Sequence, residues 1–359
     1  MLKIFMWLIA ATICVPCYAT VDRGAFDLAR WNSVVDDLRV RATNEKISTR
    51  VFDDTFRSPA VIPSILKSDA SQSEFTLTMS EYLSRTVNPA RVKNGRIMRK
   101  KYPTLLSRVN NKYGVPPHVI MAFWGLESNY GATKARHQLT DAFFTLIYDG
   151  RRQEFFSNQL IALMKIADKN KLNINDIGGS WAGAMGHFQF IPTTLAQYGA
   201  DGNGDGRIDI INSVGDAMFS AGNYLNKLGW NKKERIVRRV VLPGDFDVGM
   251  LDGKTKLTLP QWAALGVTNP DGSRLPQTEM LAGLVADVKS IEIQRAEIAN
   301  QSASIASDDV KSVALADTDI APLPVINAYL TYPNFYRIKK WNNSNWYAIA
   351  VAELADQLK

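Results

Sequence analysis

Apolar residues spaced by three and four recur along most of this chain, and that spacing confines it to a predominantly helical architecture. Ala25 to Val40 sets the pattern, with Leu28, Trp31, Val35 and Leu38 on one face. The same texture predicts helices over Thr104–Tyr113, Pro117–Ser128, Thr140–Tyr148, Arg152–Asn170, Ser213–Leu228 and Asn345–Leu358. Strand-like runs are few, chiefly Ile236–Val241 and Tyr332–Ile338, so the expected class is mainly α (α+β) with small β elements. No repeat of solenoid length is present. Between residues 299 and 323 the sequence turns to Ser, Ala and Asp without aromatics, which predicts a flexible insertion.

With 359 residues, of which 46% are hydrophobic and 21% charged, the chain has room for one large domain or for two or three lobes. After the N-terminus no apolar run is long enough to span a bilayer, which argues against a membrane-embedded body. A net charge of +7 favours an anionic partner: nucleic acid, anionic lipid, or a polymer carrying lactyl and peptide carboxylates. The basic residues are scattered and not interleaved with aromatics, so nucleic acid is set aside.

The N-terminus reads as a secretory leader. Lys3 precedes the apolar stretch Ile4–Val15, Pro16 breaks it, and Cys17-Tyr18-Ala19 offers a cleavage site before Thr20, making 1–19 the signal peptide. A lipoprotein fits less well, because Pro16 precedes Cys17 and Ile13 precedes Cys14 where a small residue is needed. Both cysteines fall in the leader, so the mature chain would have no disulfide or thiolate chemistry. The expected localisation is the periplasm.

Chemistry enters at Gly114-Val115-Pro116-Pro117, followed by HVIMAFWGLESNYG. Paired prolines suit a helix start and Gly131 its stop, placing Glu127 in the last turn. Phe123 and Trp124, four and three residues earlier, share its face. Desolvation and the negative helix end both disfavour a charged carboxylate, which predicts a raised pKa suited to a general acid. Spacing alone leaves open a structural salt bridge at the helix end.

A second segment, SWAGAMGHFQFIPTT (Ser180–Thr194), has small residues that let backbone approach a ligand, Gln189 with an amide, and Phe190 with an apolar ring for a sugar face. On its own it also reads as a tight packing turn. Together, GVPPHVIMAFWGLESNYG, SWAGAMGHFQFIPTT, GNYLNKLGW and YPNFYRIKKWNNSNWYAIAVAELAD resemble the lytic murein transglycosylase B family over nearly all of the mature chain.

The resemblance implies a lysozyme-like catalytic core over about 100–230 with an additional helical lobe, and a C-terminal part, 325–359, completing the groove. It implies Glu127 as the single acid/base. That residue protonates the glycosidic oxygen between N-acetylmuramic acid and N-acetylglucosamine, then helps deprotonate the muramyl 6-hydroxyl as a 1,6-anhydro ring closes. Ordinary glycosidases need two carboxylates, and no second one is identifiable here. Ser180, Gln189 and Phe190 are implied along the glycan cleft, with Arg151 and Arg152 placed for lactyl or peptide carboxylates. Tyr224, Trp341, Asn342, Ser344 and Tyr347 match groove-lining positions. Trp341 stands where some members carry tyrosine, and His187-Phe188 where some carry tyrosine and glycine. His187 itself reads as a packed or solvated histidine and not as a catalyst.

A further constellation runs from Asp201 to Asp209. Asp201, Asn203, Asp205 and Asp209 stand at positions one, three, five and nine of a calcium loop, with Gly206 at six and the Arg207 carbonyl at seven. Asn212 replaces the bidentate Glu at twelve, and a solvated Asp-Gly turn without metal stays open. The resemblance implies an EF-hand-like loop over 201–216 closed by Asp216 and holding a structural Ca²⁺; catalysis needs no cofactor. The expected partners are peptidoglycan strands and cell-wall synthesis or turnover proteins, with the chain a monomer. Two alternatives stay open: a muramidase that uses water as acceptor, and a non-catalytic peptidoglycan-binding protein.

Overall fold

The computed structural model describes residues 27–57, 60–70, 77–308 and 324–359. The presumed leader, with both cysteines, lies outside the described residues. In chain order the helices are α1 (Leu28–Asn44), α2 (Thr49–Thr55), α3 (Pro63–Ala70), α4 (Met79–Thr86), α5 (Pro89–Lys101), α6 (Pro103–Tyr113), α7 (Pro117–Ser128), α8 (Leu139–Asp149), α9 (Gln153–Asn170), α10 (Pro192–Tyr198), α11 (Val214–Lys227), α12 (Leu259–Ala264), α13 (Val288–Asp308), α14 (Pro333–Trp341) and α15 (Asn345–Gln357). The strands are β1 (His137–Gln138), β2 (Gly178–Gly179), β3 (Val237–Leu242), β4 (Leu257–Thr258), β5 (Leu281–Val285) and β6 (Ile326–Thr331). The mainly α expectation with small sheets holds. Two units form, one from the described residues up to 70 with Ala90–Gly229 and Leu358–Lys359, the other from 77–89 with Trp230–Gln357.

In the first unit α7 is the central helix. It is apolar all round and buries Val119 to Gly125 without interruption, as a helix enclosed on every side must. The amphipathic α9 turns Phe156, Leu160, Leu163, Met164 and Ala167 inward and packs on α8 and α10. Helix α6 packs on both α7 and α11. The short pair β1–β2, with His137 opposite Gly179, ties the start of α8 to the backbone just before Ser180.

The second unit is an antiparallel sheet, ordered β3-β6-β5-β4, with helices. Its core gathers Val240, Leu242, Leu284, Ala328 and Leu330 from the strands around Trp262 of α12. Trp262 is fully buried, and its indole N–H donates to the Ala282 carbonyl at 2.9 Å, so a buried polar atom is satisfied.

Two sequence expectations change. Tyr332–Ile338, read as a strand, is the start of α14, and the strand β6 ends at Thr331. Tyr332 is the extended N-cap and Pro333 presets φ for the first helical turn, which outweighs the apolar alternation. Residues 299–308, expected as part of a flexible insertion, continue α13, while 309–323 lie outside the described residues.

Candidate active site

Glu127 lies where the sequence places it, in the last turn of α7, and is partly exposed. Pro116 caps the helix start and Pro117 opens its first turn. The exit is unusual: Asn129, Tyr130 and Gly131 follow one another with φ of 48°, 61° and 82°. Two consecutive non-glycine residues in the left-handed region are costly, so surrounding structure has to hold them. Part of the hold is local, as the Asn129 N–H donates to Gly125 O at 3.0 Å and the Tyr130 N–H to Trp124 O at 3.2 Å.

The rest comes from the segment Ser180–Phe190. The Ser128 hydroxyl donates to the His187 carbonyl at 2.7 Å and accepts the Gly131 N–H at 2.9 Å. Trp124, without exposed surface, donates its indole N–H to His187 Nδ1 at 3.0 Å. Burial pushes the His187 imidazole below its ordinary pKa, with Asp209 opposing, which suits a neutral ring whose Nδ1 accepts. Sequence reasoning did not find this role, because the partners are separated by 63 positions.

Within the same segment Ser180 closes a turn: its hydroxyl accepts the Ala184 N–H at 3.0 Å and its N–H donates to Ala184 O at 2.7 Å. Gln189, at φ 48°, folds its amide back onto Gly186 O at 3.1 Å. Gly186 at φ 69° is obligatory, since a Cβ there would lie 2.4 Å from Ile210 O. Phe190 corrects an expectation, because its ring is fully buried with its centroid 6.0 Å from that of Tyr224, itself fully buried. Both rings are core packing in this structure.

Arg151 and Arg152 converge on one carboxylate. Asp69, 4% exposed at its side chain, pairs with Arg151 at 2.8 Å and also with Arg152, while Asp149 holds Arg151 Nε at 2.6 Å. Arg152 also lies over the Phe156 ring, 4.9 Å from its centroid. Bonding to Asp149 raises the Arg151 pKa, whereas desolvation lowers that of Arg152. The half-exposed Arg151 is the member of the pair open to solvent.

Trp341, Asn342, Ser344 and Tyr347 belong to the second unit. Trp341 is fully buried at the end of α14 and Tyr347 is 4% exposed in α15, so both rings pack in the core. Ser344 accepts the Tyr347 N–H at 3.2 Å, the bond of a helix N-cap. The side-chain oxygen of Asn342 is buried without a hydrogen-bond partner among the described residues.

The loop between α10 and α11 is built on Asp216, whose carboxylate has no exposed surface. It accepts the N–H groups of Gly202 at 2.8 Å, Asn203 at 3.2 Å and Asp209 at 2.9 Å. Asp201 accepts from Gly204 at 2.6 Å and Gly206 at 2.8 Å, and those backbone bonds hold its carboxyl below the usual range. Asp205 accepts from Arg207 N at 2.8 Å and from the Asn203 amide at 2.9 Å. The carboxylates therefore face backbone donors, and no group of three acidic or imidazole side chains converges among the described residues. Asp201, Asn203, Asp205 and the Arg207 carbonyl are nonetheless an oxygen-only set, the chemistry a hard cation takes.

Cavity size does not locate this site: a cavity of about 540 Å³ is lined by Lys46, Ile166, Lys169, Leu195 and Ile208 and by none of the residues above that surround Glu127.

Comparison with known proteins adds the family. Residues 30–356 match the model described as the transglycosylase SLT domain. The chain is 30% identical over 275 residues to the membrane-bound lytic murein transglycosylase B of Escherichia coli K12, covering 76% of this chain and 65% of that protein. Its fold is similar to that of SltB3 from Pseudomonas aeruginosa, solved in complex with NAG-anhNAM-pentapeptide, at TM-score 0.76 and 33% identity over 91% of this chain and 79% of that one. Escherichia coli Slt35 in complex with calcium shares the fold at TM-score 0.71 and 24% identity, over 91% and 92% of the two chains.

Proposed function

Because this chain belongs to the transglycosylase SLT domain family, we propose that it is a lytic murein transglycosylase that cleaves the MurNAc-GlcNAc β-1,4 bond of peptidoglycan and leaves 1,6-anhydro-MurNAc ends. The observation that carries the reading is the placement of Glu127, partly exposed in the last turn of a buried apolar helix whose next residue, Ser128, bonds the His187 carbonyl of the glycine-rich segment. A proton on that carboxyl passes to the glycosidic oxygen as the bond to the muramyl anomeric carbon breaks. The resulting carboxylate then takes the proton of the muramyl 6-hydroxyl as that oxygen closes on the anomeric carbon. One carboxyl serves both steps, so the second carboxylate of an ordinary glycosidase is not required. The resemblance to SltB3, whose complex contains an anhydro-muramyl peptide, supports this substrate class.

Arg151 is proposed to meet lactyl or peptide carboxylates, and Ser180 and Gln189 to meet sugar hydroxyls and amides. Phe190 and Tyr224 act from beneath by fixing the turn. Asn342 and Ser344 are proposed glycan contacts of the second unit, with Trp341 and Tyr347 packed behind them. Arg151→Ala should raise KM for soluble glycan-peptide fragments about tenfold with kcat nearly unchanged, the loss expected for one charge-assisted contact. An unchanged KM would remove Arg151 from the site.

We further propose that the loop carrying Asp201, Asn203, Asp205, Arg207 and Asp216 takes a structural Ca²⁺, while catalysis uses no cofactor. Calcium at about one hundred times its Kd should add roughly 2.7 kcal/mol of stability, read as a higher Tm than in EDTA. Asp201→Asn should lose that increment, and an unchanged Tm in wild type contradicts the site.

Export through the 1–19 leader to the periplasm, action as a monomer, and association with wall synthesis or turnover proteins complete the proposal. Among the described residues no helix is long and apolar enough to cross a membrane. The direct test is incubation with purified sacculi, where soluble muropeptides should appear in proportion to enzyme; a stable suspension with bound but uncut sacculi would favour the binding-protein alternative.

A further inference from the structure

We propose that His187 is the positioning residue that fixes the Glu127-bearing turn of α7 against the Ser180–Phe190 segment, through one ring nitrogen and one main-chain carbonyl. This rests on the reading of Glu127 as the acid/base.

Glu127 lies in the last turn of α7, where backbone carbonyls run out of intrahelical partners and helices fray. The chain leaves that turn through Asn129 and Tyr130 in the left-handed region, a path that persists only when tertiary contacts hold it. His187 makes contacts on both sides of Glu127 in sequence. Three residues before it, Trp124 Nε1–H donates to His187 Nδ1 at 3.0 Å. One residue after it, the Ser128 hydroxyl donates to His187 O at 2.7 Å and also takes the Gly131 N–H. The imidazole is edge-on to the indole, with centroids 5.5 Å apart at 72°. It also fills the space beside Gly131, where a Cβ would lie 2.4 Å from His187 Cε1.

The segment side is equally fixed, since the His187 N–H donates to Ile210 O at 3.1 Å. His187 thus sets the spacing between the carboxyl and the turn that carries Gln189. Trp124 is fully buried, so a side chain at 187 without an acceptor leaves a buried donor unsatisfied and the turn free to shift. Burial lowers the imidazole pKa and so favours the neutral form, in which Nδ1 accepts from the indole.

The test measures kcat and KM on soluble glycan-peptide fragments for wild type, H187L, H187N, W124F and W124F/H187L, with E127Q alongside. Displacement of a reacting group by about an ångström costs roughly a hundredfold, so H187L should lose ten- to a hundredfold in kcat with KM within about threefold. In H187N the Oδ1 can stand where Nδ1 accepted, so kcat should return to within about threefold of wild type. In the W124F background H187L should cost less than about twofold, because the bond it removes is already gone. Should H187L fold poorly, W124F alone must still lower kcat with KM retained.

Wild-type kcat in H187L, or equal losses in H187L and H187N that simply multiply with W124F, would overturn the positioning role. If those results accompany an inactive E127Q, the acid/base reading stands and the His187 proposal alone falls. An active E127Q overturns both.

Discussion

Replacing Glu127 by glutamine is expected to lower turnover on peptidoglycan by at least about two orders of magnitude, the effect of removing a general acid. Glutamine keeps the shape and the hydrogen-bonding capacity of the side chain but cannot pass a proton to the glycosidic oxygen or take one from the 6-hydroxyl. Both half-steps use the same atom pair, so both are lost together. The fold around the site should tolerate the change, because glutamine fills the same space and the bonds among Trp124, Ser128 and His187 that hold the turn are left in place. Binding of glycan-peptide fragments should therefore stay within about threefold of wild type while kcat collapses. Measured kcat and Kd for E127Q decide it. A variant that keeps a tenth or more of the wild-type rate removes the carboxyl from the chemistry.

Asp216→Ala is expected to produce the largest loss of stability among these substitutions, about 3 kcal/mol. The carboxylate is fully buried and accepts three backbone N–H groups from Gly202, Asn203 and Asp209. Hydrogen bonds to a charged group contribute about 1.5–3 kcal/mol each, and unsatisfied buried donors carry a further penalty. Water entering the vacated space recovers part of that, which is why the sum is not additive. A loss of this size should lower Tm by roughly 4 °C in a protein of this size. Calorimetry in EDTA isolates the hydrogen-bond contribution from any metal contribution. A Tm unchanged within about 1 °C, roughly the shift expected for 1 kcal/mol, would show that the loop does not depend on this residue.

Much of the fold is legible in the sequence where local signals agree. The α7 boundaries follow from paired prolines at one end and Gly131 just beyond the other, and the structure places the helix at Pro117–Ser128 as expected. The misreading of Tyr332–Ile338 has a local cause: alternating aromatic residues imitate a strand, and Pro333 was the stronger signal. Strands β5 and β6 carry small residues such as Gly283 and Ala328, and only their pairing in the sheet identifies them.

Within the site, residue identity was legible but exposure was not. Phe190, Tyr224 and Trp341 are aromatic whether they line a groove or fill the core, and burial is a property of packing that spacing along the chain does not encode. The tie from His187 to Trp124 and Ser128 is likewise invisible in sequence, because it joins segments that meet only after folding. Resemblance to relatives did not supply it either, since others carry tyrosine at that position. The Asp201–Asp209 loop shows the opposite case: its alternating oxygen-bearing side chains are plain in sequence, whereas the hydrogen-bonded arrangement turns those oxygens toward backbone N–H groups.

The most direct measurement is the mass of the muropeptides released from purified sacculi. Ring closure by the muramyl 6-hydroxyl predicts ends lighter by one water than reducing ends, and predicts that they disappear with E127Q. Release of reducing ends alone would show that water is the acceptor and would contradict the transglycosylase assignment.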